Sequence, residues 1–163
     1  MEYKEIVRDF ATRTRKNLDE LRELQAAHPN REIYEVTQLM NSLLGLLVFP
    51  QQSYVNTIPK IPLDELKQRG WPIPRMVGDY PQVKDLNQLV RYLRNAIAHF
   101  NIKFIAGEDK QISGLELWNV REHELKGGKR KRETTWKAHL SLDDVETITD
   151  RFLELLMQNL AAG

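Results

Sequence analysis

The sequence predicts a mainly α protein, a helical bundle with a small antiparallel β-sheet inserted before the C-terminal helix. Apolar residues recur at helical spacing through the first fifty positions, again from Leu86 to Phe100, and again after Ser141. Between the last two stretches, NIKFIA, ISGLELWNV and TTWKAHL read as three short strands. A length of 163 residues favours one domain over 1–163, and the sheet at about 101–140 is too small to be a second.

The first helix runs from Tyr3 to about Ala27, with Ile6, Phe10, Leu21 and Leu24 on its apolar face and Val7 and Leu18 on the flank. His28-Pro29-Asn30 ends it. A second helix starts near Arg31 or Glu32 and reaches Phe49, where Pro50 stops it. Its last two turns are apolar almost all round, so it is the expected central helix. Glu35, Gln38, Asn41, Ser42 and Gly45 form a narrow polar or small stripe. Gly45 costs roughly 1 kcal/mol in a helix interior, which close approach of another element would explain.

Residues 50–82 hold six prolines and read as an ordered connection, with a short helix at Leu63–Arg69 closed by Gly70. Trp71, Ile73 and Met76 are its expected anchors on the bundle. A substrate lid is the competing reading. The third long helix spans about Val83 to Phe100, with Leu86, Leu89, Val90, Leu93, Ile97 and Phe100 as its core stripe. After the strands, Ser141 and Asp144 have the spacing of a helix cap. The last helix then turns Val145, Ile148, Phe152, Leu155 and Leu156 inward.

Hydrophobic residues make up 41% and charged residues 29%, as in a globular chain, and the net charge is +1. Bulk charge therefore gives no case for wrapping DNA or adsorbing to a membrane; nucleic-acid affinity needs a local patch. Cysteine is absent, which excludes disulfides and thiolate metal sites. The N-terminus lacks a signal-peptide core, and the run Leu43–Phe49 is too short to span a bilayer. The expectation is a cytoplasmic protein without membrane association.

Chemistry concentrates at Arg94-Asn95-Ala96-Ile97-Ala98-His99, at the end of the third long helix. Packing requires neither the arginine, the amide nor the histidine there. Histidine has an unperturbed pKa of about 6.5, suited to proton transfer near neutral pH. Arginine offers a rigid fork of donors for non-bridging phosphate oxygens. Asn95 can orient His99 or bond phosphate or sugar. Such a group suits phosphodiester cleavage, and in RNA the 2′-hydroxyl supplies the nucleophile without a metal. A helix advances about 100° per residue, which places Asn95 and His99 one turn apart but Arg94 about 140° from His99. Two copies related by a two-fold axis would bring the groups together more easily than one. Composition and geometry alone favour a surface or helix-end histidine, stabilised by the helix dipole, and an arginine engaged in a salt bridge.

The segment resembles the signature of the HEPN superfamily (higher eukaryotes and prokaryotes nucleotide-binding): an Arg, a polar residue, three further positions and a His. YEVTQLMNSLLGLLVFPQ together with LRNAIAHFNI resembles a plasmid- and genome-encoded prokaryotic branch of it, and the helix plan agrees over most of the chain. The resemblance implies a metal-independent endoribonuclease of toxin–antitoxin, phage-defence or RNA-processing type, acting as a homodimer without a cofactor. It makes Arg94 and His99 catalytic and Asn95 supportive. Superfamily members that only bind or scaffold keep open a catalytically inactive module for nucleic acid, nucleotide or protein. No nucleotidyltransferase motif accompanies the domain, so an antitoxin of that kind would be a separate protein.

Lys126, Lys129, Arg130, Lys131 and Arg132 place five positive charges in seven residues, in an expected hairpin loop. With Arg91, which projects near His99, they are the candidate RNA-backbone contacts; a merely solvated loop is the alternative. The glycines at 127 and 128 lack P-loop spacing, and His28, His99, His123 and His139 show no paired metal-ligand spacing. Glu122, His123 and Glu124 read as a surface turn. Trp118 and Trp136 are expected to pair across neighbouring strands, within a sheet-to-helix core rather than as a base-stacking platform.

Overall fold

The computed structural model describes residues 3–29, 35–48, 58–108, 112–124, 128 and 130–161. Among them are five helices and a four-stranded antiparallel sheet. The order is α1 (Tyr3–Ala27), α2 (Glu35–Val48), α3 (Leu63–Gln68), β1 (Arg75–Met76), α4 (Leu86–Ala98), β2 (Ile102–Ala106), β3 (Ile112–Glu124), β4 (Arg130–Ser141) and α5 (Leu142–Ala161). The architecture is the expected helical bundle with a small antiparallel sheet before the final helix. No helix among the described residues is long and apolar enough to cross a membrane.

In α1 the buried line is Val7, Ala11, Thr14 and Leu18, at spacings of four, three and four. Ile6, Phe10, Leu21 and Leu24 are only half-buried, so the face is turned toward its expected flank. The small Ala11 and Thr14 let α1 lie close to its neighbours, α2 and α5. Burial opposes the charge on Arg22, but Asp150 and Glu146 outweigh it and hold its pKa above the ordinary value. Its Nη2 lies 2.8 Å from Glu146 and 3.0 Å from Asp150, bridging α1 to α5.

In α2, Leu39, Leu43, Leu46 and Leu47 are buried and Ser42 is buried with them. Leu44 is 41% exposed, so this helix has an outer face and is not surrounded. Its expected start at Arg31 or Glu32 and its stop at Phe49-Pro50 lie outside the described residues. A Cβ on Gly45 would sit 2.6 Å from Phe10 Cζ, which is the close approach the glycine permits.

The proline-rich connection is packed. Ile58, Leu66, Trp71 and Val83 are buried, and Ile73 and Met76 pack against the core. Its backbone is tied to α4, where the Leu86 amide donates to Ile61 O and Asn87 Nδ2 donates to Ile58 O. Arg75 and Met76 add a fourth strand beyond the three expected, pairing with His139 and Ala138 of β4.

The sheet order is β1-β4-β3-β2. Leu115, Leu117, Trp136, Ala138 and Leu140 face the helices and are buried. Trp136 packs on Tyr92 of α4 at 5.3 Å between ring centroids. Trp118 pairs with Lys137, not Trp136, and therefore points to the opposite face of the sheet. The expected tryptophan pair is not formed, because their registers differ by one residue. At the end of β4, the Ser141 amide donates to Asp144 Oδ2 and the Asp144 amide donates to Ser141 Oγ, starting α5 with a reciprocal cap.

Candidate functional site

Helix α4 is fixed at both ends. At its start the Gln88 amide donates to Asp85 Oδ1, while the Lys84 amide donates back to Gln88 Oε1. Leu86, Leu89, Val90, Leu93, Ala96 and Ile97 form its buried stripe. The helix stops at Ala98, with His99 as its C-cap. The Phe100 amide donates to Ile97 O at 3.1 Å and the Asn101 amide to Ala96 O at 2.7 Å. This pairing is a Schellman ending, which calls for a left-handed residue after the cap and usually places glycine there. Here the residue is Phe100, at φ +53. A side chain in that conformation costs roughly 1–2 kcal/mol. Phe100 was expected in the core stripe but is 76% exposed, because the left-handed turn rotates it out of the helical register.

The ending delivers His99 to a cleft of about 300 Å³ lined by Asn95, His99, Asn101, Asn119, Val120, Glu122 and Arg132. Two elements build it. One turn of α4 supplies Asn95 and His99, and the Trp118 amide donates to Asn101 O, holding the following residue against β3. The sheet supplies the rest, next to a change of register. Asn119 pairs with Trp136 but Val120 pairs with Thr134, leaving Thr135 as an extra residue in β4. Before that irregularity the odd-numbered Leu115, Leu117 and Asn119 face the helices. After it the even-numbered Val120 and Glu122 line the cleft. The irregularity lies where the sheet borders the cleft, with Asn119 before it and Val120, Glu122 and Arg132 beyond it.

Asn119 is 5% exposed, and its Nδ2 donates to Tyr92 O at 2.9 Å, locking the sheet to α4. Among the described residues, no hydrogen bond or ion pair within the chain engages the side chains of Asn95, His99 or Asn101. Their donors and acceptors are available to a ligand. Arg132 Nε lies 3.3 Å from Glu122 Oε1, and Arg130 Nη1 lies 3.7 Å from Glu122 Oε2. Exposed pairs of this kind are worth about 0–1 kcal/mol, so a phosphate can compete for the guanidinium.

The structure thus brings Asn95, His99 and Arg132 together and leaves other sequence candidates apart. Arg94 is half-buried and does not line the cleft. Arg91 is exposed, its guanidinium 5.8 Å from the centroid of the Tyr92 ring, and does not line the cleft either. Arg130, Lys131 and Arg132 lie in β4 rather than in a loop, because the β3 register continues to Glu124 opposite Arg130. Lys131 is opposite His123 and so on the other face from Arg132. Lys126 and Lys129 lie outside the described residues. Glu122 and His123, expected in a turn, are strand residues, and His123 Nε2 is 3.4 Å from Glu133. Among the described residues, no three His, Cys, Asp or Glu side chains gather as a metal site would require.

Asn101 and Asn119 were not legible as cleft residues. Asn101 adjoins the motif without belonging to it, and Asn119 reaches the cleft only through a strand pairing that spacing does not reveal.

Residues 1–161 match the model of the family described as HEPN pEK499 p136. No curated protein and no solved structure matches the chain. The fold, the motif at the end of α4 and this match over nearly the whole length lead to one assignment: the chain belongs to the HEPN pEK499 p136 family of the HEPN superfamily, a group broadly associated with nucleotide and RNA binding and with toxin-like activity.

Proposed function

We propose that the protein is a metal-independent endoribonuclease that acts as a homodimer. The observation that carries this reading is His99, held at the exposed end of α4 in a cleft where the side-chain amides of Asn95 and Asn101 are unengaged by the chain. RNA provides its own nucleophile. The 2′-hydroxyl attacks the adjacent phosphorus, the bond from phosphorus to the 5′-oxygen breaks, and the products are a 2′,3′-cyclic phosphate and a 5′-hydroxyl. His99 takes the proton of the 2′-hydroxyl or delivers one to the departing 5′-oxygen, and water makes the other transfer. Asn95, one turn away, positions the phosphate or the imidazole. Arg94 stabilises the charge growing on the non-bridging oxygens.

Because Arg94 and His99 diverge on one helix, the arginine is proposed to act across the two-fold axis, in the cleft of the second copy. Arg132 and Arg130 guide the backbone, together with Lys131, Arg91, Lys126 and Lys129. A toxin or phage-defence role with a separate antitoxin protein follows from the family association, and a cytoplasmic location fits an RNA substrate.

The absence of Arg94 from the cleft of a single copy supports a second reading, a catalytically inactive module that binds nucleic acid, nucleotide or protein. Incubation of purified protein with a panel of RNAs in excess chelator separates the two. Cutting by wild type and at least 100-fold slower cutting by a folded His99→Ala protein are expected. Undiminished cutting by His99→Ala would remove the proposed role of the histidine, and binding without cutting would favour the inactive module.

A further inference from the structure

Phe100 is the residue of this region that neither packing nor backbone geometry explains. It is 76% exposed, so its ring contributes little to the core. Its φ of +53 is a conformation in which glycine would be easier. Yet it stands between His99 and Asn101, both of which line the cleft, and consecutive Cα atoms are only about 3.8 Å apart. The Schellman bonds on either side fix its backbone, so the ring is presented to solvent from a rigid mount.

We propose that Phe100 is a base-stacking residue that seats one nucleotide of single-stranded RNA at the rim of the His99 cleft. The inference rests on the RNA reading given above and adds to it how the substrate is positioned. Every base has a π face, so an exposed phenylalanine holds it without demanding a particular sequence. The amides of Asn95 and Asn101 and the guanidinium of Arg132 then face the backbone or base edges of the adjoining nucleotide. A stacked base fixes the ribose, and with it the 2′-hydroxyl, relative to the imidazole. Double-stranded RNA keeps its bases stacked on one another and cannot use such a mount. Phe100 is in this scheme a positioning residue, and His99 remains the group that moves protons.

Phe100→Gly, Phe100→Leu and Phe100→Trp proteins can be titrated with a short oligoribonucleotide that carries 2-aminopurine and 2′-O-methyl groups, which block cleavage. Wild type is expected to bind and to quench the 2-aminopurine. Phe100→Gly is expected to melt a few degrees higher, since the left-handed strain is relieved, yet to bind roughly tenfold more weakly without quenching. Phe100→Leu keeps the strained backbone and is expected to lose quenching at unchanged melting temperature, whereas Phe100→Trp keeps both quenching and affinity. Unchanged affinity and quenching in Phe100→Gly and Phe100→Leu would overturn the proposal. So would a fall in mass from dimer to monomer in both, which would make the ring a contact between copies. A wild type that neither binds nor cuts RNA would overturn the RNA reading itself, whereas failure of the stacking idea alone leaves cutting by wild type intact.

Discussion

Gly45 and Phe10 show how closely α1 and α2 pack. An added methyl at Gly45 meets the Phe10 ring at 2.6 Å, so alanine there has opposed effects. It gains roughly 1 kcal/mol of helix propensity and loses about 1–3 kcal/mol to overpacking. We expect Gly45→Ala to lower stability in urea unfolding, and to raise it by about 1 kcal/mol when Phe10→Leu has removed the ring end. A Gly45→Ala protein more stable than wild type would show that the helices are not held at this distance. The glycine was legible because a helix interior has few other reasons for one. Phe100 was misread for a related reason. Seven residues after Leu93 it continues the apolar period, and nothing in that period announces that the helix stops at Ala98.

Helix ends and strand registers decide where the candidate groups point. The Ser141–Asp144 cap was readable from its spacing, because both partners lie within one turn of each other. Ser141→Ala should destabilise the fold by about 1 kcal/mol in thermal or denaturant unfolding, and Ser141→Asn should recover most of it. No loss in Ser141→Ala would mean that α5 is held by its core face alone. The sheet was readable only in outline. Its three longer strands follow from alternation, but β1 is two residues between prolines and exists because β4 offers it an edge. Likewise, β4 reaches back to Arg130 because β3 supplies partners as far as Glu124. The irregularity between Asn119 and Val120, beside the cleft, depends on residues far apart in sequence. Local patterning carries no trace of it.

For the whole molecule, the apolar stripes of α1, α2, α4 and α5 and one face of the sheet enclose a shared core, with the motif at its margin. That arrangement explains why the sequence was informative about the bundle and about the nearness of Asn95 to His99, but not about the sheet residues that line the same cleft. One copy unites the amides, His99 and Arg132, and directs Arg94 elsewhere. The central proposal is that chemistry is completed across two copies, and subunit mixing tests it most directly. Arg94→Ala and His99→Ala proteins, each inactive alone, are combined under conditions of subunit exchange and assayed for RNA cutting in chelator. Each mixed dimer would contain one intact pairing of Arg94 from one copy with His99 from the other. Random exchange should therefore restore about a quarter of the wild-type rate. Mixed dimers that form, as shown by differently tagged subunits, and yet remain inactive would contradict a site shared between copies.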